Sequence, residues 1–126
     1  MNYLIDTHVL IWWDLERSTL SPAVAAILSD ARNTIWVSVA TVWEIAIKRG
    51  VGRLEFDGSI RERVDANGFA LLPIEAADAE AAGALPLHHG DPFDRMLVAQ
   101  ADRRGMVLVT ADRVLAVYGV AMLSAR

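Results

Sequence analysis

Tyr3-Leu4-Ile5-Asp6 is an apolar run that ends on a carboxylate, and Met106-Val107-Leu108-Val109-Thr110-Ala111-Asp112 repeats the arrangement near the other end of the sequence. Runs this short and this apolar read as buried strands. In an open parallel sheet, ligands bind outside the carboxyl ends of the strands, which is where both acids fall. Working outward, strands are expected at 3–6, 34–37, 69–72 and 106–109, with 120–123 a candidate fifth at an edge. Helices are expected at 7–15, 22–31, 39–49, 59–67, 74–84, 92–104 and 111–118. Ser21-Pro22 supplies an N-cap and a first-turn proline, and Gly50, Gly68 and Gly105 supply stops. Strands alternating with helices predict an α/β fold: one domain over residues 1–126, an α/β/α sandwich with a mostly parallel central sheet of four to five strands.

Composition narrows the function classes. Apolar residues make up 54% of the 126, which suits a packed domain and not a disordered chain. The absence of cysteine excludes disulfides and thiolate zinc sites, and it fits a reducing cytosol. The N-terminus meets Asp6 at once and has no basic region, so no signal peptide is expected. The apolar stretch from Ile35 to Ile47 is too short to span a bilayer. Net charge is −4, from 12 basic and 16 acidic residues. Bulk charge therefore gives no reason to expect nucleic-acid binding, but divalent ions in an acidic pocket would reverse the local sign.

Two further acids stand out. Between Ile35 and Ile47 the only polar residues are Ser38, Thr41 and Glu44, and their spacing puts them on one helical stripe. Val39, Val42, Trp43, Ile45 and Ile47 are expected to bury the rest of that helix. Glu44 then reads as a ligand on a narrow polar seam; the plainer reading is a surface pair with Lys48, four residues on. In Asp91-Pro92-Phe93-Asp94-Arg95-Met96-Leu97, Asp91 reads as an N-cap before a first-turn proline. Asp94 follows at the third helical position, one turn before Leu97 and Val98, and reads as the ligand of the pair. Four acids with no cysteine suit a hard cation such as Mg²⁺ or Mn²⁺.

Leu4-Ile5-Asp6-Thr7-His8-Val9-Leu10, Val42-Trp43-Glu44-Ile45, Asp91-Pro92-Phe93-Asp94-Arg95-Met96-Leu97-Val98-Ala99-Gln100-Ala101 and Leu108-Val109-Thr110-Ala111-Asp112 resemble the four acidic motifs of PIN-domain nucleases. More closely, the chain resembles the VapC toxins of type II toxin–antitoxin pairs, along nearly its whole length and in the right motif order. The resemblance implies an endoribonuclease that uses Mg²⁺ or Mn²⁺ and leaves a 3′-hydroxyl and a 5′-phosphate. It implies Asp6 as the central ligand, Asp94 sharing the metal, and Glu44 and Asp112 completing the pocket. It also implies a homodimer and a VapB-like antitoxin as partners, in the cytoplasm.

Around these acids, Thr7, Ser38 and Thr110 are candidates for orienting the ligands by hydrogen bonds, with simple capping of local backbone as the plainer account. Lys48, Arg49, Arg53, Arg95 and Arg113 flank the motifs as candidate phosphate contacts. His8 could face the site or pack near the surface, and His88 and His89, before the Asp94 helix, could touch RNA, with a solvated loop as the plainer reading. Trp12 and Trp13 are adjacent, so on a helix they cannot share one direction, and one of them is expected at a partner interface.

Rival readings fail on particular residues. A haloacid-dehalogenase-type phosphatase needs a second Asp two positions after the first, where this chain has His8. A receiver domain needs an acidic pair near the first strand and a late lysine, and neither is present. A non-catalytic PIN-like module that binds RNA or protein stays as the alternative, and metal titration with an RNA cleavage assay separates it from the nuclease.

Overall fold

The computed structural model describes all 126 residues. Five strands, β1 (Asn2–Ile5), β2 (Thr34–Ser38), β3 (Ala70–Leu72), β4 (Val107–Thr110) and β5 (Met122–Ser124), form one sheet in the order β3-β2-β1-β4-β5. Every neighbouring pair is parallel. Six α-helices connect them: α1 (Thr7–Leu15), α2 (Pro22–Ser29), α3 (Val39–Gly50), α4 (Ile60–Ala66), α5 (Ala76–Ala84) and α6 (Pro92–Arg104). The expected elements are all present, with two adjustments. Residues Arg113–Tyr118 form a 3₁₀ helix, and Arg17–Thr19 add a short 3₁₀ turn.

Alternation along the strands divides the core. Tyr3, Ile5 and Val109 join a cluster with Val9, Leu10, Val24 and Ile45, beneath α1 to α4. Leu4 and Leu108 turn the other way, onto Leu97, Val98 and Ala101 of α6. Burying each of these large aliphatic side chains contributes roughly 1.5–3 kcal/mol. A buried polar clamp joins α5 to α6: Asp78 accepts from Gln100, Arg103 and Arg104. The Arg104 guanidinium, more than any other contact, holds the Asp78 carboxyl well below the usual carboxylate range.

Helix α3 departs from its expected orientation. Ser38, Thr41, Glu44 and Ile45 are buried, but Val39, Trp43 and Ile47 are 39%, 62% and 42% exposed. The polar seam faces inward beside Ile45, Val42 packs partly against the core, and Val39, Trp43 and Ile47 form an outer stripe instead. The cause lies in the partners: Thr41 and Glu44 both meet Thr7 of α1 through hydrogen bonds, which turns that face toward the sheet edge.

No helix is long and apolar enough to cross a membrane. The strand order makes β1 central, with β4 on one side and β2 on the other. The connection reverses direction between β1 and β4, and a crevice opens at their carboxyl ends.

Candidate active site

Asp6 occupies the end of β1 and caps α1. Its Oδ1 accepts from the Val9 N–H at 2.9 Å, as an N-cap acid does, and its Oδ2 accepts from the Thr110 hydroxyl at 2.5 Å. Its backbone N–H continues the sheet by donating to the Val109 carbonyl at 3.0 Å. The side chain is buried, and that burial pushes the carboxyl upward while the Thr110 and Val9 hydrogen bonds pull it back.

Asp112 repeats this design at the end of β4. Its Oδ1 caps the 3₁₀ helix through the Val114 N–H at 3.1 Å, and its own N–H donates to the Thr110 hydroxyl oxygen at 3.0 Å. Thr110 thus holds both acids, the ligand-orienting reading of the two open to it. Asp94 comes from the first turn of α6, which Asp91 caps by accepting from the Phe93 and Asp94 N–H groups. Asp6, Asp94 and Asp112 line one cleft with His8, Trp12 and Ala111. A larger hollow between α4 and β3, lined by Val64, Phe69 and Leu71, contains none of the four candidate acids.

Asp94 differs from its neighbours in accepting no hydrogen bond; His89 Nε2 lies 3.6 Å from its Oδ2. Burial, and after it the charges of Asp91 and Asp6, push its carboxyl up to about 7. A half-buried carboxylate with no donor, facing two other acids, is a costly arrangement without a cation. The donors are all hard oxygens, and Asp6 and Asp112 each keep a second lone pair on both carboxylate oxygens. The set therefore fits a hard divalent cation.

Glu44 does not line the cleft. It is 6% exposed and lies behind Thr7, whose hydroxyl donates to Oε1 at 2.6 Å. Lys48 Nζ is 2.9 Å from Oε2. The pair with Lys48 therefore exists, with its carboxylate buried and the Lys48 side chain one-third exposed. Glu44 is still close enough for its charge to push both Asp6 and Asp94 upward.

The remaining candidates separate clearly. Thr7 and Thr110 each bond a carboxylate, whereas Ser38 only caps α3 through the Ala40 N–H. Arg95 is not a free phosphate contact: its guanidinium donates to the carbonyls of Ala82, Leu85, Pro86 and His89 and braces the loop before α6. Arg49 is similarly engaged by the Phe56 and Gly58 carbonyls. Arg53 and Arg113 are exposed. Trp13 is 7% exposed and donates to Asn67, which removes it from any partner surface; Trp12 lies half-buried at the cleft. His8 is exposed at the cleft, tilted against Trp12. The loop reading of His88 and His89 missed His89, whose Nε2 is 2.9 Å from Asp112 Oδ2. Only its position two residues before the α6 N-cap hinted at this.

A parallel α/β fold with β1 at its centre and acids at the adjoining strand ends defines a class of nuclease-like domains, and a PIN domain family model matches residues 3–120. The chain belongs to the PIN domain family, among the VapC proteins. It is 33% identical over 118 residues to Ribonuclease VapC22 of Mycobacterium tuberculosis, a match covering 87% of this chain and 86% of that one. Its fold is similar to that of VapBC2 from Rickettsia felis, solved bound to a DNA fragment from their promoter: TM-score 0.71, 18% identity, the whole of both chains covered. FitAcB of Neisseria gonorrhoeae gives a TM-score of 0.64 at 22% identity, with 96% of each chain covered.

Proposed function

We propose that this protein is a metal-dependent endoribonuclease, the toxin of a type II toxin–antitoxin pair acting in the cytoplasm. The observation that carries the reading is the undonated Asp94 carboxylate facing Asp6 and Asp112 across one cleft. Mg²⁺ or Mn²⁺ there would lower the pKa of bound water and offset charge growing on the scissile phosphate. Thr110 and the Val9 N–H fix the orientation of Asp6, so its remaining lone pairs point in set directions. Burial and the charges of Asp91 and Asp6 raise the Asp94 carboxyl, and a cation in the cleft would return it to its charged form. Glu44 acts from behind, through Thr7 and its negative charge. Arg113, exposed beside Asp112, is the candidate contact for an RNA phosphate.

The relative named for ribonuclease activity and the structural neighbours solved as toxin–antitoxin complexes support this reading. A VapB-like antitoxin would cover Trp12 at the cleft mouth, and a basic side chain of its tail would relieve repulsion among the acids. The outer stripe of α3 suits a second copy of the chain, since contiguous exposed apolar residues mark interaction surfaces.

The test is cleavage of RNA by purified protein with Mg²⁺, with Mn²⁺ and with chelator. Cleavage that depends on the cation and disappears in Asp6→Asn is the expected result. Undiminished cleavage by Asp6→Asn would overturn the mechanism.

A further inference from the structure

His89 sits where a third or fourth metal ligand would be expected. Its ring nitrogen and one oxygen each of Asp94 and Asp112 all lie within 4.8 Å of one another. The hydrogen bonds around the ring point to a different role. The Asp91 backbone N–H, which can only donate, is 3.1 Å from His89 Nδ1. Nδ1 must therefore carry the lone pair, and the neutral ring carries its proton on Nε2. That Nε2–H faces Asp112 Oδ2 at 2.9 Å and Asp94 Oδ2 at 3.6 Å.

The loop is held as firmly as the ring. The His89 N–H donates to the Tyr118 hydroxyl at 3.0 Å, and the His89 carbonyl accepts from Arg95 at 3.3 Å. Through the ring runs an open chain of hydrogen bonds: Asp6 to Thr110, Thr110 to Asp112, Asp112 to His89, His89 to Asp91, and Asp91 to the N–H of Asp94. The ends of β1 and β4 and the start of α6 are tied together by it.

We infer that His89 is a positioning residue that holds Asp112 against Asp94 through a tautomer fixed by the backbone, and that it is not itself a metal ligand. This rests on the metal-dependent reading of the same cleft. Removing the donor leaves Asp112 held through Oδ1 alone, by the Val114 N–H, and should weaken cation binding by about ten- to a hundredfold, the usual effect of losing a group that orients a ligand. A glutamine places an N–H close to the position of Nε2 and should restore most of that affinity.

Three measurements on the full chain decide the matter. Long-range ¹H–¹⁵N NMR at pH 8 without metal should show His89 Nδ1 unprotonated and Nε2 protonated; the opposite tautomer overturns the inference. Titration with Mn²⁺, followed by calorimetry, should give the order wild type, then His89→Gln, then His89→Ala. Equal affinity in wild type and His89→Ala overturns it. Pulsed EPR of the Mn²⁺-loaded protein should show no ¹⁴N coupling from a bound imidazole, and such coupling would make His89 a ligand. If His89→Ala fails to fold, the tautomer and the EPR spectrum of the wild type still decide. If the wild type binds Mn²⁺ in this order but cuts no RNA, the nuclease reading fails and the role of His89 stands.

Discussion

Thr110 and Asp6 are 104 positions apart in the chain, and their side chains meet at 2.5 Å. The same Thr110 oxygen accepts the Asp112 N–H, so one hydroxyl orients two acids from adjacent strands. Thr110→Val keeps the shape of the side chain and removes both bonds. A buried carboxylate that loses its donor costs about 1.5–3 kcal/mol. We expect a lower melting temperature, weaker Mn²⁺ binding, and recovery of both in Thr110→Ser, by thermal melts and calorimetry.

Stability of the metal-free protein should fall as pH rises from about 4 to about 7. An unfolded Asp titrates near 3.9, whereas folded Asp94 titrates at about 7. Between these values the folded state binds the extra proton, so stability declines with pH across the window and stays low above it. Asp94→Asn should flatten that part of the profile and raise the metal-free melting temperature at pH 8. Saturating Mn²⁺ should stabilise the wild type above pH 7 and lose its effect as pH falls, because protons compete for Asp94. Denaturant melts at several pH values check each part, and a wild-type profile that is flat between pH 4 and 7 would contradict it.

Lys48 answers Glu44 across one helical turn at 2.9 Å. Lys48→Met leaves Glu44 with the Thr7 hydroxyl alone and should destabilise the protein by about 1–2 kcal/mol, since one partner of a largely buried pair is left behind. Glu44→Gln with Lys48→Met should be more stable than Lys48→Met alone. If Lys48 acts mainly on RNA, the melting temperature will hold and only the KM will rise.

The two tryptophans should separate in their effects. Trp13→Ala empties a core position and should cost about 3–5 kcal/mol. Trp12→Ala should leave the fold intact and weaken antitoxin binding, measured by calorimetry. Normal binding by a folded Trp12→Ala protein would move the docking surface elsewhere.

The α3 stripe gives the oligomer test. Trp43→Glu should shift the protein to monomer in light scattering behind size exclusion, with little loss of thermal stability, because Trp43 contacts chiefly the edge of Phe93 within the protomer. A Trp43→Glu protein that keeps the mass of the wild type would put the contact between copies elsewhere.

How far the sequence spoke depended on the kind of force involved. The strand-then-acid pattern placed Asp6 and Asp112 because strand ends are set by local apolar runs, and a parallel sheet puts those ends at one edge. Asp91 and Asp94 separated into cap and free acid because N-cap preferences are local. Helix α3 was read in part: its polar seam is buried as expected, but hydrophobic periodicity also assigned Val39, Trp43 and Ile47 to the core. Hydrogen bonds from Thr7, 34 and 37 residues away in sequence, turned the seam inward and left those three outside. Arg95 and His89 were misjudged for a related reason. Arg95 is taken up by backbone carbonyls, and His89 is brought to the Asp112 carboxylate, by a loop whose path no residue pattern encodes. Ser38 went to the simpler of its two readings, as a cap.

The placement of β1 at the centre of the sheet has a consequence for synthesis. Its hydrogen-bonded neighbours are β2, made soon after it, and β4, made long after it. Asp6 leaves the ribosome early, but Thr110, which orients it, and Asp112, which faces it, follow more than a hundred residues later. A nascent or prematurely ended chain carries the first acid without its cleft. The cleft can therefore assemble only after residues 107–112 have been made, however early β1 and α1 form.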